Sequence, residues 1–149
     1  MTEENNKKSP FSKLTQIGIV VKNMDETVER LSSFGIGPFE HRAVPANAEE
    51  WYGDEKMEAT FKISAAVVGE VEMEFIQPVS GKSPHQAFLD EKGEGIQHLA
   101  FAVENLDEEI ERLTKNGASV QLKADLGKLK VAYLDLGTSG LVFELMQMK

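Results

Sequence analysis

The chain contains one unit twice, and that repetition limits what it can fold into more than any other feature. Residues 16–35 read QIGIVVKNMDETVERLSSFG and residues 98–117 read HLAFAVENLDEEIERLTKNG. The segments align without a gap at an offset of 82. Eight of the twenty positions are identical: Val21/Val103, Asn23/Asn105, Asp25/Asp107, Glu26/Glu108, Glu29/Glu111, Arg30/Arg112, Leu31/Leu113 and Gly35/Gly117. Six of the other twelve pairs exchange one apolar residue for another. The closing segments VEMEFIQ and VFELMQ also match, with Glu74 opposite Glu144. Each copy alone would offer an incomplete core and an open sheet edge, so the two are expected to share one structure.

Each copy opens on a β-branched and apolar run, residues 17–21 and 99–103, which reads as a strand. A helix follows. Asn23 and Asn105 suit its N-cap, because an Asn side chain accepts from the exposed amides of the first turn. Asp25/Glu26 and Asp107/Glu108 complement the positive end of the helix dipole. Met24, Val28, Leu31 and Leu106, Ile110, Leu113 recur at i, i+4, i+7, giving one apolar stripe per helix. Gly35 and Gly117 suit the left-handed C′ position. Three strands are then expected per copy, over 39–44, 57–68 and 70–77, and over 119–123, 129–135 and 141–147, with Gly69 and residues 137–140 as turns. The fold class is therefore α+β: two tandem βαβββ modules forming one cupped mixed sheet. The first module spans residues 12–78 and the second 96–149. Residues 79–95 link them, with a short helix in HQAFLDEKG, and the polar residues 1–11 read as a disordered leader.

The bulk numbers narrow the partners. A formal charge of −9 and a pI near 4.9 exclude nucleic acid, whose phosphates need clustered Lys and Arg. With no cysteine, disulfides and thiolate metal sites are impossible, which fits a cytoplasmic protein. No apolar run has the length of a signal peptide or membrane span, so no membrane partner is expected. No Gly-rich loop marks a nucleotide site.

Strand parity gathers the chemistry. Side chains alternate between the faces of a strand. If Ile17, Ile19, Val21 and Leu99, Phe101, Val103 face the helices, Gln16 and His98 face the other way, beside the small residues Gly18, Ala100 and Ala102. In the closing strands Met73, Phe75 and Phe143, Leu145 pack under the helices, which turns Glu74 and Glu144 to the side of Gln16 and His98. One imidazole, two carboxylates and one amide oxygen suit a divalent ion of intermediate hardness. Two carboxylates also balance its charge in an apolar cup. Taken singly, a strand His is more often a hydrogen-bonded core or surface residue, and a strand Glu or Gln is usually solvated. Symmetry-equivalent placement of all four favours the metal. His41 and His85 lie in less regular stretches and are expected at the surface.

The duplicated pattern resembles the vicinal oxygen chelate superfamily of glyoxalases, bleomycin-resistance proteins and dioxygenases, over roughly residues 12–147. It is most similar to methylmalonyl-CoA epimerases, through QIGIVVKNMDE, IQPVSGKSPHQAFLDEKGEGIQHLAFAV and LVFELMQ. The resemblance implies one divalent metal ion (Zn, Co, Mn, Ni or Mg) held by Gln16, Glu74, His98 and Glu144. It also implies a homodimer, and a metal-dependent isomerase or lyase that moves a proton alpha to a carbonyl or thioester. Glu144 is then the catalytic base, as in the glyoxalases, and a small-molecule substrate, an acyl-CoA thioester, is expected. Two departures stand out. Gln16 replaces the histidine of the epimerases, matching the ligand set of some glyoxalases. The carboxylate such epimerases carry after a proline is replaced by Ala46 after Pro45, within the longer segment HRAVPANAEEWYGDEKM, where Glu49 or Glu50 is the substitute. Trp51 and Tyr52, in the same loop, are either a lid or ordinary packing. Two alternatives stay open: a lactoylglutathione lyase-like enzyme, and a non-catalytic protein that binds a drug or metabolite. A dioxygenase fits less well, since non-haem iron sites use two His and one carboxylate.

Overall fold

The computed structural model describes residues 9–149. In chain order the elements are β1 (Leu14–Val20), α1 (Met24–Ser33), β2 (Glu40–Arg42), β3 (Glu49–Tyr52), β4 (Glu55–Lys56), β5 (Thr60–Val68), β6 (Val71–Ser80) and α2 (Pro84–Lys92), followed by β7 (Gly95–Ala102), α3 (Leu106–Lys115), β8 (Ser119–Asp125), β9 (Leu129–Asp135) and β10 (Val142–Met148). All ten strands belong to one mixed sheet, in the order β2-β5-β6-β1-β7-β10-β9-β8-β3-β4. Within each repeat the first strand runs parallel to the last, β1 beside β6 and β7 beside β10, and the remaining pairs are antiparallel. The repeats meet where β1 and β7 pair antiparallel, with Gly18 opposite His98 and Gln16 opposite Ala100.

The helices end as their sequences dictate. Asn23 Oδ1 accepts from the Glu26 amide and Asn105 Oδ1 from the Glu108 amide, each at 3.0 Å. At the C-termini, the Ile36 N–H donates to Leu31 and the Gly35 N–H to Ser32, and Ala118 and Gly117 do the same to Leu113 and Thr114. That pattern needs a left-handed residue, supplied by Gly35 (φ 93°) and Gly117 (φ 100°). A second duplicated contact ties helix to sheet: Gln77 Oε1 accepts from the Met24 amide and Gln147 Oε1 from the Leu106 amide, both at 2.7 Å.

The apolar stripes cover the outer face of the sheet. Met24, Val28 and Leu31 pack with Ile19, Val21, Met73 and Phe75. Leu106, Ile110 and Leu113 pack with Leu99, Phe101, Val103, Phe143 and Leu145. The inner face carries its own cluster, built from Met57, Leu122, Ala124, Val131, Tyr133 and Val142 with Phe61, Leu129 and Met146 around it.

Three features depart from the expectations. Residues 49–52, read as loop, form a strand that leaves its own half and pairs with β8, Glu49 opposite Asp125 and Tyr52 opposite Leu122. The alternating exposure of EEWY fits one covered face, but nothing local to those residues specifies a partner in the other repeat. His85, expected at the surface, is 5% exposed, because the first turn of α2 (capped by Ser83, with Pro84 at its start) is buried against the inner face. Of the leader, residues 1–8 lie outside the described residues, while Pro10 is buried and Phe11 packs edge-on against Phe101 and Phe143 at 5.1 and 5.5 Å.

Because β1 pairs with β7 and β3 with β8, each half lacks strands that cover its edges. Residues 1–90 and 91–149, expressed separately, are expected to show no cooperative urea transition, and an equimolar mixture to regain one. Two monomeric fragments that each unfold cooperatively would refute a shared sheet.

Candidate functional site

The four residues singled out by strand parity meet on the inner face, where β6, β1, β7 and β10 lie side by side. His98, wholly buried, is the hub. Its Nε2 lies 3.4 Å from Glu144 Oε1, 3.5 Å from Gln16 Oε1 and 3.9 Å from Glu74 Oε1. Its Nδ1 donates to Gln97 Oε1 at 2.9 Å, which makes Nε2 the lone-pair nitrogen. Such a close ring is possible because residue 18 is glycine. A Cβ there would fall 2.0 Å from His98 Cε1 and 2.2 Å from Nε2.

An imidazole lone pair, an amide oxygen and two carboxylate oxygens thus face one another with no donor among them. Only a proton or a cation satisfies such a group. Burial holds the His98 imidazole down to about 4, so protonating it is costly. Burial pushes the Glu74 carboxyl up to about 7, the Arg42 charge opposing and the Glu72 charge adding. Burial, and then the Glu74 charge, raise Glu144 well above the usual carboxylate range. Among the described residues no three His, Cys, Asp or Glu side chains stand in an arrangement that could hold a metal ion. With bonds of about 2.1 Å, the ligand atoms of a divalent ion lie roughly 3.0–3.5 Å apart. Glu144 and Gln16 meet this separation from His98 Nε2, at 3.4 and 3.5 Å, whereas Glu74, at 3.9 Å, lies beyond it. Gln16, Glu74, His98 and Glu144 are the residues that would hold such an ion.

Above the cluster opens a cavity of about 300 Å³ with largely apolar walls, among them Phe61, Ile63, Ile76, Leu122 and Val131. The two substitute carboxylates of the Pro45 segment part company here. Glu50 lines the cavity, and burial raises its carboxyl. Glu49, one residue earlier on β3, is exposed on the opposite side. Trp51 is 45% exposed, whereas Tyr52 packs against the inner cluster.

Sequence reasoning missed four further groups. Arg42 forms a two-toothed ion pair with Glu72, Nη1 to Oε1 at 2.6 Å and Nη2 to Oε2 at 2.5 Å. Tyr133 stands opposite Glu144 in the β9–β10 register. Its hydroxyl and His85 Nε2 share a hydrogen bond of 3.0 Å. Burial, with His98 adding, lowers the His85 imidazole to about 3. Tyr133 had a signal, since it alternates with the outward Leu134 on a recognised strand. The charged pair and the helix histidine read as solvated residues.

Gly18→Ala is expected to drive the His98 ring out of place, costing about 1–3 kcal/mol of stability in urea unfolding and the site with it. A crystal structure of that variant with the ring unmoved would contradict the packing. The buried histidines also leave a pH signature. An unfolded chain protonates them near 6.5 and the folded one only at about 4 and 3, so their contribution to stability falls as pH drops below 6.5. Glu74, raised from 4.5 to about 7, works oppositely: its contribution is full below 4.5 and is lost as pH rises through 7. In an NMR titration of metal-free protein the His85 and His98 rings should stay neutral down to pH of about 5. Midpoints near 6.5 for both would show that they are not buried as described.

Comparison with known proteins agrees with this architecture. Residues 15–133 match the family model of the Glyoxalase/Bleomycin resistance protein/Dioxygenase superfamily. Among solved structures, the chain is similar to methylmalonyl-CoA epimerase from Mycobacterium tuberculosis, with a TM-score of 0.65, 21% identity, and coverage of 96% of this chain and 92% of that one. A Streptomyces coelicolor methylmalonyl-CoA epimerase variant in complex with 2-nitronate-propionyl-CoA gives a TM-score of 0.67 at 19% identity, covering 91% and 94%. A hypothetical protein from Bacillus halodurans gives 0.64 at 24% identity, covering 92% and 94%. The uncharacterized protein YqjC of Bacillus subtilis is 39% identical over 46 residues, which is 31% of this chain and 33% of that protein's length. At such identities the solved structures establish a shared fold, and the family match covers most of the chain. The protein belongs to the Glyoxalase/Bleomycin resistance protein/Dioxygenase superfamily.

Proposed function

We propose that the protein is a metal-dependent isomerase or lyase that moves a proton on the carbon next to a carbonyl or thioester, with the acyl-CoA thioester of a short branched acid as substrate. The observation that carries this reading is the convergence of acceptor atoms from Gln16, Glu74, His98 and Glu144 beneath an apolar cavity. The substrate class is supported by similar proteins, one a methylmalonyl-CoA epimerase in complex with methylmalonyl-CoA and another in complex with 2-nitronate-propionyl-CoA.

A carbon beside a carbonyl is a poor acid. A bound divalent cation supplies a Lewis acid for the oxygen, where negative charge develops as the proton leaves. The chain's own groups divide the remaining work. Glu144 takes the proton, as a carboxylate that lines the cavity beside His98. Tyr133 stands opposite it across the β9–β10 pair. Glu50, on another wall of the cavity, is placed to return a proton from a different side, the role left open by Ala46. The cavity of about 300 Å³ takes the acyl head and excludes water from it. The coenzyme's bulk then lies outside.

The test is exchange of the substrate's α-hydrogen with solvent deuterium, catalysed by protein loaded with metal. Glu144→Gln keeps the shape and an oxygen donor but removes the base, and should slow exchange by ~10²-fold or more. Metal content is measured alongside, since loss of the ion would give the same result for another reason. If neither short acyl-CoA thioesters nor glutathione hemithioacetals exchange with metal fully loaded, the fold serves here as a binding protein without turnover.

A further inference from the structure

We infer that Arg42 and Glu72, neither of them a ligand candidate, determine which end of the Gln16 amide faces the cation site. This rests on the reading that Gln16, Glu74, His98 and Glu144 hold a cation. An amide presents either an oxygen, which ligates, or an NH₂ group, which repels a cation. Strand parity brings Gln16 to the site but does not choose between its ends.

The choice is made by its neighbour. Glu72 is the direct partner of Gln16 across the parallel β1–β6 pair. Its Oε1 accepts from Gln16 Nε2 at 2.9 Å and from Arg42 Nη1 at 2.6 Å, and its Oε2 accepts from Arg42 Nη2 at 2.5 Å. A carboxylate gripped on both oxygens by a guanidinium fork is an acceptor only. Whatever Gln16 turns toward it must be a donor. The amide NH₂ therefore lies on the Glu72 side, where its second hydrogen reaches Glu74 Oε2 at 3.1 Å, and Oε1 is left beside His98 Nε2 at 3.5 Å. Arg42 acts on Glu74 too. Its Nη1 lies 3.8 Å from Glu74 Oε2, the same oxygen Gln16 engages, which leaves Oε1 turned to His98. Arg42 reaches this position from β2, across β5, and its guanidinium fork closes on Glu72. Its chief role is to position Gln16, through Glu72.

A histidine at position 16 can present a lone pair from whichever ring nitrogen faces the cation, its proton moving to the other nitrogen, and this gives a double-mutant test. Co²⁺ affinity, read from its visible absorption, is measured for four proteins: wild type, Glu72→Ala, Gln16→His, and the double variant. Urea transitions confirm that each is folded. Glu72→Ala is expected to weaken Co²⁺ binding by about 10–100-fold in the wild type, the usual cost of losing an outer-shell partner, and by less than about threefold in the Gln16→His background. Equal losses in both backgrounds would assign the pair a merely structural role and overturn the inference. So would an unchanged affinity in Glu72→Ala. Should Gln16→His or Glu72→Ala fail to fold or bind, Glu72→Gln decides. Its amide can present either end, so an altered cobalt spectrum at unchanged stoichiometry supports the clamp, and a spectrum identical to wild type refutes it. Failure of the wild type itself to bind Co²⁺, Zn²⁺, Mn²⁺ or Ni²⁺ would remove the proposed function along with the inference, whereas wild-type binding that ignores Glu72 removes the inference alone.

Discussion

The antiparallel pairing of β1 with β7 is the contact on which the rest depends. It joins the two repeats edge to edge, and in doing so sets Gly18 against His98 and Gln16 against Ala100. A slip of one residue would turn Gln16 or His98 to the helix side and destroy the cluster. The bare backbone at Gly18 lets the imidazole lie across the seam, and the closing strands β6 and β10, parallel to their first strands, bring Glu74 into the row of Gly18 and His98 and Glu144 into the adjacent inner-face row of Ala100 and Gln16. One register thus settles both the core and the chemistry.

Electrostatics then follows from shape. The cup buries more acceptors than donors, and burial moves its ionisable groups toward their neutral forms: Glu74 and Glu144 rise and His98 falls. In an ordinary core this would be a defect. Beneath a cavity it is the feature on which the proposed cation site rests. Arg42 offsets it only in part, because Glu72 engages both arms of the guanidinium while Glu74 lies 3.8 Å away.

Much of this could be read from the residues. The repeat, the Asn caps and the Gly35 and Gly117 stops are local, and strand parity is a property of the backbone. Together they brought out the fold class and which four side chains share a face. What escaped is governed by contacts between distant parts of the chain. Residues 49–52 alternate like a strand, yet pairing with β8 cannot be inferred from those four residues. His85 is buried only because α2 enters the cup by its first turn. Arg42 and Glu72 are 30 positions apart and look like any other surface charges until β5 and β6 bring them together.

The β3–β4 ribbon breaks the internal symmetry. Residues 126–128, between β8 and β9, offer no equivalent to the segment between β2 and β5. The eight other strands and the two repeated helices form a nearly symmetric frame, and Gln16, Glu74, His98 and Glu144 belong wholly to it. Glu50 belongs to the ribbon. The ribbon is therefore a graft on a two-fold scaffold, and a change in its length or residues leaves the seam and the four side chains gathered there untouched.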